Sequence, residues 1–432
     1  MPDLPVLVVV LMGCGGSKPA FLPSEEEMPA IEVPGWNGVV YPHMSVRAKI
    51  PLTYDQKKDF TGDMADVNAQ IAAQSTAGAG FRLVAFNYPV TPGWMHEVPG
   101  MDMPFDQTKK GMLDMAPNSF GMMAFQQVDV PASPLETKVV SSEMSFEISM
   151  SLSNPRSKAT GYEELYSKLK LLGDEGYSLA AVIDEPGKRM PGMLVASSIG
   201  DGIVKGFAEV GRTAGQLATG TWVPKAQPVV GTVTLVGQRV AGAAPRATTY
   251  IVQDVPIETT GHYISTNAHA DQNAGQNAWP QNINATMPTL DATLEEHFGP
   301  KQCKLAAVYN PSIVDRMALS GHFKCLKACH LIFEPTDEPY AVCVVDTAIY
   351  IKYPTMSPVS DGVDYASYLS VIENFVAKGW ELAAAIGMPD CAIKPGGSMF
   401  HGRGASTVKL LFQARSNQPG LVRPAVPASV AG

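Results

Sequence analysis

The residues whose types most directly imply chemistry are Met12-Gly13-Cys14-Gly15-Gly16-Ser17-Lys18. Read from Met12, they fit M-G-x-x-x-[ST], the signal for myristoylation of the Gly exposed once Met is removed. Gly13 is then the acylated amine, Ser17 completes the motif, and Cys14 offers a thiol for a second acyl chain. One myristoyl chain holds a protein to membrane only marginally, whereas two give stable anchoring. Two other readings use the same residues. Leu4 to Met12 is a short apolar run ending in Leu-Met-Gly-Cys, the pattern of an exported bacterial-type lipoprotein anchored through Cys14, although Asp3 stands where a basic n-region belongs. A Gly-rich turn behind a short hydrophobic start needs no lipid at all. Myristoylation requires a free Gly13 amine, so initiation at Met12 is the deciding condition, and the eleven residues before it read as an alternative start or a gene-model artefact.

A second cluster, His322, Cys325, Cys329 and His330, lies in GHFKCLKACH (321–330), with Cys303 and Cys343 on either side in sequence. Structural zinc sites set one closely spaced ligand pair against a second, well-separated pair. Here all four candidates fall within ten residues that continue into an apolar strand pattern, CHLIFEP. Buried free cysteines are the expectation, with no metal and no cofactor. Met95, Met101, Met103, Met112, Met115, Met122 and Met123, with Trp94 and Phe105 alongside, form a partner- or membrane-facing contact surface rather than a soft-metal site. GGSMFHGRGAST (396–407) lacks Gly-Lys-Ser/Thr and reads as a hairpin loop, not a phosphate loop. In DGIVKGFAEVGRTAGQL (201–217), Ile203, Val204, Phe207 and Val210 fall on one face of a surface helix. There is no G-x-S-x-G, H-E-x-x-H or dinucleotide fingerprint, and the chain is read as not an enzyme.

Bulk properties narrow the classes further. The chain has 432 residues, 45% of them hydrophobic and 17% charged, which suits a globular protein of two or more domains. A net charge of −9 disfavours generic nucleic-acid binding and gives little attraction to anionic lipid headgroups, so acyl chains would have to do the anchoring. No apolar run approaches the ~20 residues of a membrane-spanning helix. Six Cys, five of them in the C-terminal third, fit a reducing compartment rather than a disulfide scaffold.

The elements that position these residues repeat along the chain. AGAGFRLVAFNYP (77–89), GDEGYSLAAVIDEP (173–186) and AKGWELAAAIGMP (377–389) share Gly, aromatic, any residue, Leu, then small residues, with KQCKLAAVYNP (301–311) a weaker copy that lacks the Gly. Helical periodicity precedes three of them, over 163–172, 288–298 and 364–378, with Asp364 as a candidate N-cap. Gly176 and Gly379 stand where a helix C-terminal Gly belongs. Apolar strands follow at 120–128, 192–198, 329–335 and 408–415, and alternating strands precede at 137–152 and 340–353. The fold expected is α+β: four strand–helix–strand–strand units, mainly antiparallel sheets with helices on one face, paired into two domains. The expected boundaries are an anchor segment 1–36, a first pair of units 37–200, a Gly-rich connector 201–228, a second pair 229–415 with a linker-like insertion 262–285, and a disordered tail 416–432.

MGCGGSK (12–18), GYSLAAVI (176–183), LEEHFGPKQCKLAAVYNP (294–311), DYASYLSVIENFVAKGWELAAAIGMP (364–389) and VKLLFQAR (408–415), in this order, resemble the raftlin family across most of 12–415. The resemblance implies an acylated protein of the inner plasma-membrane leaflet in cholesterol- and sphingolipid-rich microdomains, with some cytosolic or endosomal population. It implies a scaffold or adaptor in receptor signalling and endocytic trafficking, with unidentified receptor or trafficking proteins as partners. It also implies myristate on Gly13 and palmitate on Cys14. The family's long charged tail has no counterpart here. The alternatives that stay open are the exported lipoprotein and a soluble, non-enzymatic binding module.

Overall fold

The computed structural model describes residues 40–55, 59–75, 80–87, 118–127, 133–149, 156–184, 227–265, 278–311, 316–318, 322–354, 362–388, 392–395 and 401–422. β1 (His43–Asp55), β2 (Asp59–Gly62), α1 (Ala65–Ser75), β3 (Phe81–Asn87) and β4 (Asn118–Gln127) come first, with strand order β2-β1-β4-β3. β5 (Leu135–Ser149), β6 (Arg156–Thr160), α2 (Tyr162–Asp174), β7 (Ser178–Asp184) and β8 (Gln227–Val240) follow, with order β6-β5-β8-β7. Next are β9 (Ile251–Ser265), β10 (Ala278–Thr286), α3 (Leu290–Phe298), β11 (Cys303–Tyr309), β12 (Arg316–Ala318) and β13 (His322–Pro335). Here the order is β10-β9-β13, with β11 and β12 on the far side of β13. Last are β14 (Tyr340–Pro354), β15 (Gly362–Asp364), α4 (Ala366–Val376), β16 (Glu381–Gly387), β17 (Ala392–Pro395), β18 (His401–Arg415) and β19 (Gly420–Val422), ordered β15-β14-β18-β16. The described architecture is α+β, with four helices and sheets that are antiparallel except where β19 runs parallel to β14.

Each helix covers one sheet through residues at helical spacing. Val67 and Ile71 of α1 pack with Ile50, Leu83 and Phe125. Leu165, Leu169 and Leu172 of α2 pack with Met144, Val233 and Leu235. Leu290, Leu294 and Phe298 of α3 meet Val255, Leu331 and Phe333. Tyr368, Ile372 and Phe375 of α4 meet Val345, Leu410 and Phe412, and the Phe375 and Phe412 rings stack at 4.2 Å. The periodic reading leaves α1 unassigned. Its signal is Met64, Val67 and Ile71, with Asp63 accepting from the Ala65 N–H at 2.9 Å at the helix entry.

Several expectations are corrected. Asp364 is not the N-cap. It ends β15 opposite Tyr350, and Tyr365 takes the cap position without a side-chain bond. The ends of 262–285, read as a linker, are strand: Ala278–Gln281 pair with His262–Ser265. A polar Asn/Gln-rich composition does not prevent pairing, because the ladder bonds are made by backbone. Within the expected tail, Gly420–Val422 pair with Ala341–Cys343. Gly176 and Gly379 do adopt the left-handed conformation at helix ends, with φ 81° and 88°, as does Gly80 at 57°. At the copy lacking Gly, Gln302 occupies the same place at φ 49°. Residues 192–198, 201–217 and 90–117 lie outside the described residues, but Met122 and Met123 of the expected Met-rich contact surface are buried in β4 as core.

Candidate ligand cavity where four bulged strands meet

The repeated Leu-Ala cores are the strands β3, β7, β11 and β16. Each runs antiparallel to a long neighbour, and each register slips at the same step, Leu83/Ala85, Leu179/Ala181, Leu305/Ala307 and Leu382/Ala384. The extra residues are Val84, Ala180, Ala306 and Ala383, all buried. A bulge bends a strand and sharpens its twist. Here it lets four strands from three sheets converge, β7 and β11 belonging to one nine-stranded sheet that the β6–β12 pairing makes continuous: β3 packs on β7 and β16, and β11 packs on the same two. Small side chains make the approach close. The space among Ala181, Ala307, Ala384 and their neighbours is about 10 Å³, room for one water at most.

Side chains from adjacent units bind the backbone of the bulged strands. Gln238 on β8 accepts from the Leu83 N–H at 2.9 Å and donates to Ser75 Oγ at 2.7 Å and Thr137 Oγ1 at 3.2 Å. The Tyr250 hydroxyl accepts from the Leu179 N–H at 2.8 Å and donates to Tyr177 O at 2.9 Å. Gln413 on β18 accepts from the Leu305 N–H at 2.9 Å and donates to Leu305 O at 3.2 Å. In chain order these bonds run from the second repeated unit to the first, from the third to the second and from the fourth to the third.

The register explains which residues do this. Gln126, Gln238, Glu334 and Gln413 stand at one equivalent position, opposite Arg82, Ser178, Lys304 and Glu381 respectively. Lys304 pairs with Glu334 at 3.3 Å. Gln126 is different. It is 2% exposed, yet its Oε1 has no hydrogen-bond partner among the described residues. Its register partners on both sides share the condition: His43 on β1 leaves Nε2, and Arg82 on β3 leaves Nε, buried without a partner among the described residues. Directly opposed residues share a sheet face, so the three form one row. Burial holds His43 neutral by lowering its pKa from 6.5 to about 4. Arg82 Nη2 donates to Leu179 O at 3.0 Å.

A cavity of about 450 Å³ opens over Gln126 and Arg82. Backbone and side chains of β11 and β16 form the far wall, including Lys304 and Glu381, while Tyr340 and Arg415 stand at its side. Arg415 is tied to Glu338 at 2.9 Å. The volume lies within the usual ~300–1,000 Å³ of small-ligand sites. Gln126 Oε1 and Arg82 Nε have almost no accessible surface themselves, so the cavity does not reach either atom.

The residues singled out from sequence are distributed differently. Gly13, Cys14 and Ser17 lie outside the described residues. Cys303 and Cys329 are buried in one core cluster and Cys343 in another. Burial pushes the Cys303 thiol up and the Cys343 thiol up to about 12, so both stay protonated and inert at neutral pH. Among the described residues no group of three or more metal-binding side chains comes together. His322 and Cys325 are in β13, opposite His262 and Thr259. His330 is buried beside Tyr162 and Tyr309. Its Nδ1–H donates to Asp254 Oδ1 at 2.6 Å, with the Tyr166 hydroxyl 3.0 Å from the same nitrogen. That bond holds the Asp254 carboxyl below the usual carboxylate range. The arrangement orients an imidazole, but His330 lies away from the cavity wall.

Sequence reasoning missed Gln126, Gln238 and Gln413. A signal was present: Phe125-Gln126, Gly237-Gln238, Phe333-Glu334 and Phe412-Gln413 sit at one position of the long strand paired with each Leu-Ala core. No family model matches the chain, and neither a curated protein nor a solved structure matches it. Among the described residues no helix is long and apolar enough to cross a membrane.

Proposed function

We propose that the protein is a lipid-anchored peripheral adaptor of the raftlin type on the cytoplasmic face of the plasma membrane. The observation that carries this reading is the M-G-x-x-x-S motif of Met12 to Ser17 with Cys14 adjacent, in a chain whose net charge of −9 offers little other attraction to a membrane. In a chain initiated at Met12, Gly13 carries myristate and Cys14 palmitate, and cholesterol- and sphingolipid-rich inner-leaflet microdomains concentrate it. The four strand–helix–strand–strand units are read as copies, paired as first with second and third with fourth, although β6 and β12 hydrogen-bond the second unit to the third. β8 is hydrogen-bonded to β5 and β7, so the division between pairs is drawn after Val240. Interlocked units give a platform on which receptor or trafficking proteins assemble, a role that needs no chemistry from the buried thiols.

The test is the intact mass and N-terminal peptide of protein made in a eukaryotic cell. A chain beginning at myristoylated Gly13 with acylated Cys14 is the expected result. Gly13→Ala then moves the protein to the cytosolic fraction, and Cys14→Ser lowers microdomain enrichment. Membrane association unchanged by Gly13→Ala overturns the anchor. One observation favours a second reading, a binding module without lipid: the cavity over Gln126 is independent of the N-terminal motif.

A further inference from the structure

The four cores are completed in a cycle. The core under α1 takes in Ala181, Ile183 and Val236 of the second unit. The core under α2 takes in Ala306, Ala307 and Ile332 of the third. The core under α3 takes in Ala384, Ile386 and Leu411 of the fourth. The core under α4 takes in Val84, Ala85, Met122 and Ala124 of the first, so the units most distant in sequence also meet on a seam. Three of these seams carry a polar tie. The leucine N–H at the start of the bulge is taken by a side chain of the following unit: Leu83 by Gln238, Leu179 by Tyr250 and Leu305 by Gln413. Leu382, the fourth leucine, receives no such side chain among the described residues. Gln126 stands at the register position that would supply it, with its Oε1 buried and unmet among the described residues. Residues two apart share a strand face, so Gln126 lies on the same side of β4 as Met122 and Ala124, which pack in the cluster that holds Leu382.

We propose that the seam between the first and fourth units is a shear joint with two states. In the state seen here Gln126 Oε1 is unmet, and the cavity of about 450 Å³ stands open beside the seam, between Val84 and Gln126 on one side and Glu381 and Ala383 on the other. In the second state the first sheet slides on β16 until Gln126 accepts from the Leu382 N–H, as Gln413 accepts from the Leu305 N–H, and the cavity narrows. The gain is a hydrogen bond for a buried acceptor that now has none. The cost is repacking Val84, Ala85 and Ala124, small apolar side chains that hold by contact and not by direction. Packed interfaces take up discrete arrangements, so the joint switches between two positions. A partner that spans the first and last units and fits one state better selects that state. No step of this depends on the lipid anchor, so the two proposals fail separately.

The experiment is amide NMR under hydrostatic pressure on the full chain, isotopically labelled at the leucine nitrogens. Pressure favours the state that encloses less void. The expected result, below the pressure that unfolds the protein, is a reversible second Leu382 resonance displaced downfield, as a newly bonded N–H requires. The Leu83, Leu179 and Leu305 amides, already tied, shift only in proportion to pressure. Gln126→Leu abolishes the second resonance with an unchanged or higher Tm, because no bond of the state seen here is lost. Gln126→Asn, which keeps the amide but shortens its reach, abolishes it as well. A Leu382 amide that responds in proportion to pressure like the other three overturns the proposal. So does a second resonance that persists in both variants, because Gln126 is then not its acceptor.

Discussion

Gln413 holds Leu305 from two sides, accepting from its N–H at 2.9 Å and donating to its carbonyl at 3.2 Å, although the residues are 108 positions apart. The pair is buried, so its removal leaves two backbone groups without water or partner. Gln413→Leu is expected to destabilise by about 2–3 kcal/mol. Gln126→Leu, at the same register position, is expected to cost nothing or to stabilise. Urea denaturation of the two variants measures the difference. Equal losses would mean that Gln126 has an intramolecular partner.

The left-handed residue at the entrance to each bulged strand gives a paired prediction. Gly176, at φ 81°, would set a Cβ 2.8 Å from Pro245 Cα and 2.9 Å from Arg246 N. Backbone cannot yield as a flexible side chain does, so Gly176→Ala is expected to cost at least 2 kcal/mol through strain plus clash. Gln302 does the same job at φ 49° with the wrong residue type. Gln302→Gly relieves that strain and is expected to gain about 1 kcal/mol, less the added freedom of the unfolded chain. Thermal melts read both, and a loss of stability in Gln302→Gly would contradict the equivalence of the two positions.

Those two residues also show what the sequence made legible. Gly, aromatic and Leu-Ala are a local signature, and each element they specify is present, including the copy in which Gln302 and Cys303 replace Gly and the aromatic. The helix α4 was visible because Tyr368, Ile372 and Phe375 fall on one face. The short α1 was less visible, since only Val67 and Ile71 bear its packing and Gln, Asn and Ala fill the rest. The cavity was not visible, because it arises where four strands distant in sequence meet. Single Gln residues carry no periodicity. Only a register aligning Gln126 with Gln238 and Gln413 makes them conspicuous.

The pH dependence of stability has two windows on the acid side. His43 is held neutral by burial, its pKa lowered from 6.5 to about 4. The unfolded chain takes up the proton first, so stability falls as pH drops from 6.5 towards 4. His297, packed against Phe333 at 4.1 Å, is lowered by burial too and acts in the same direction. The Asp254 carboxyl is also depressed, by its bond from His330, and its contribution is lost only below the usual carboxylate pKa of 3.8. His43→Leu should flatten the slope of urea midpoints between pH 6.5 and 4.5 and leave the steeper loss below it. Asp254→Asn should do the reverse. If His43→Leu leaves the upper slope unchanged, His297 carries that window alone.

Tyr250 yields a test on the alkaline side. Its hydroxyl ties the entrance of β9 to β7, accepting from the Leu179 N–H and donating to Tyr177 O. Burial first, and then the nearby Glu334 carboxylate, raise its pKa above the ordinary 10.0. An acid held neutral in the folded state stabilises below its unfolded pKa, and that stability is lost as pH rises past it. Tyr166 is raised as well, by burial and by Asp254, and Tyr340 chiefly by burial, so three described tyrosines resist ionisation. Absorbance titration near 295 nm should therefore show tyrosines that ionise only as the protein unfolds. Tyr250→Phe deletes both bonds and is expected to cost about 1–2 kcal/mol at pH 7, chiefly by stranding the Leu179 N–H. It should also shift the alkaline unfolding transition to higher pH relative to its own stability at pH 7, because one group that ionises only in the unfolded chain is gone. A variant as stable as wild type at pH 7, with an unchanged alkaline transition, would show that the Tyr250–Leu179 bond does not hold β7 in place.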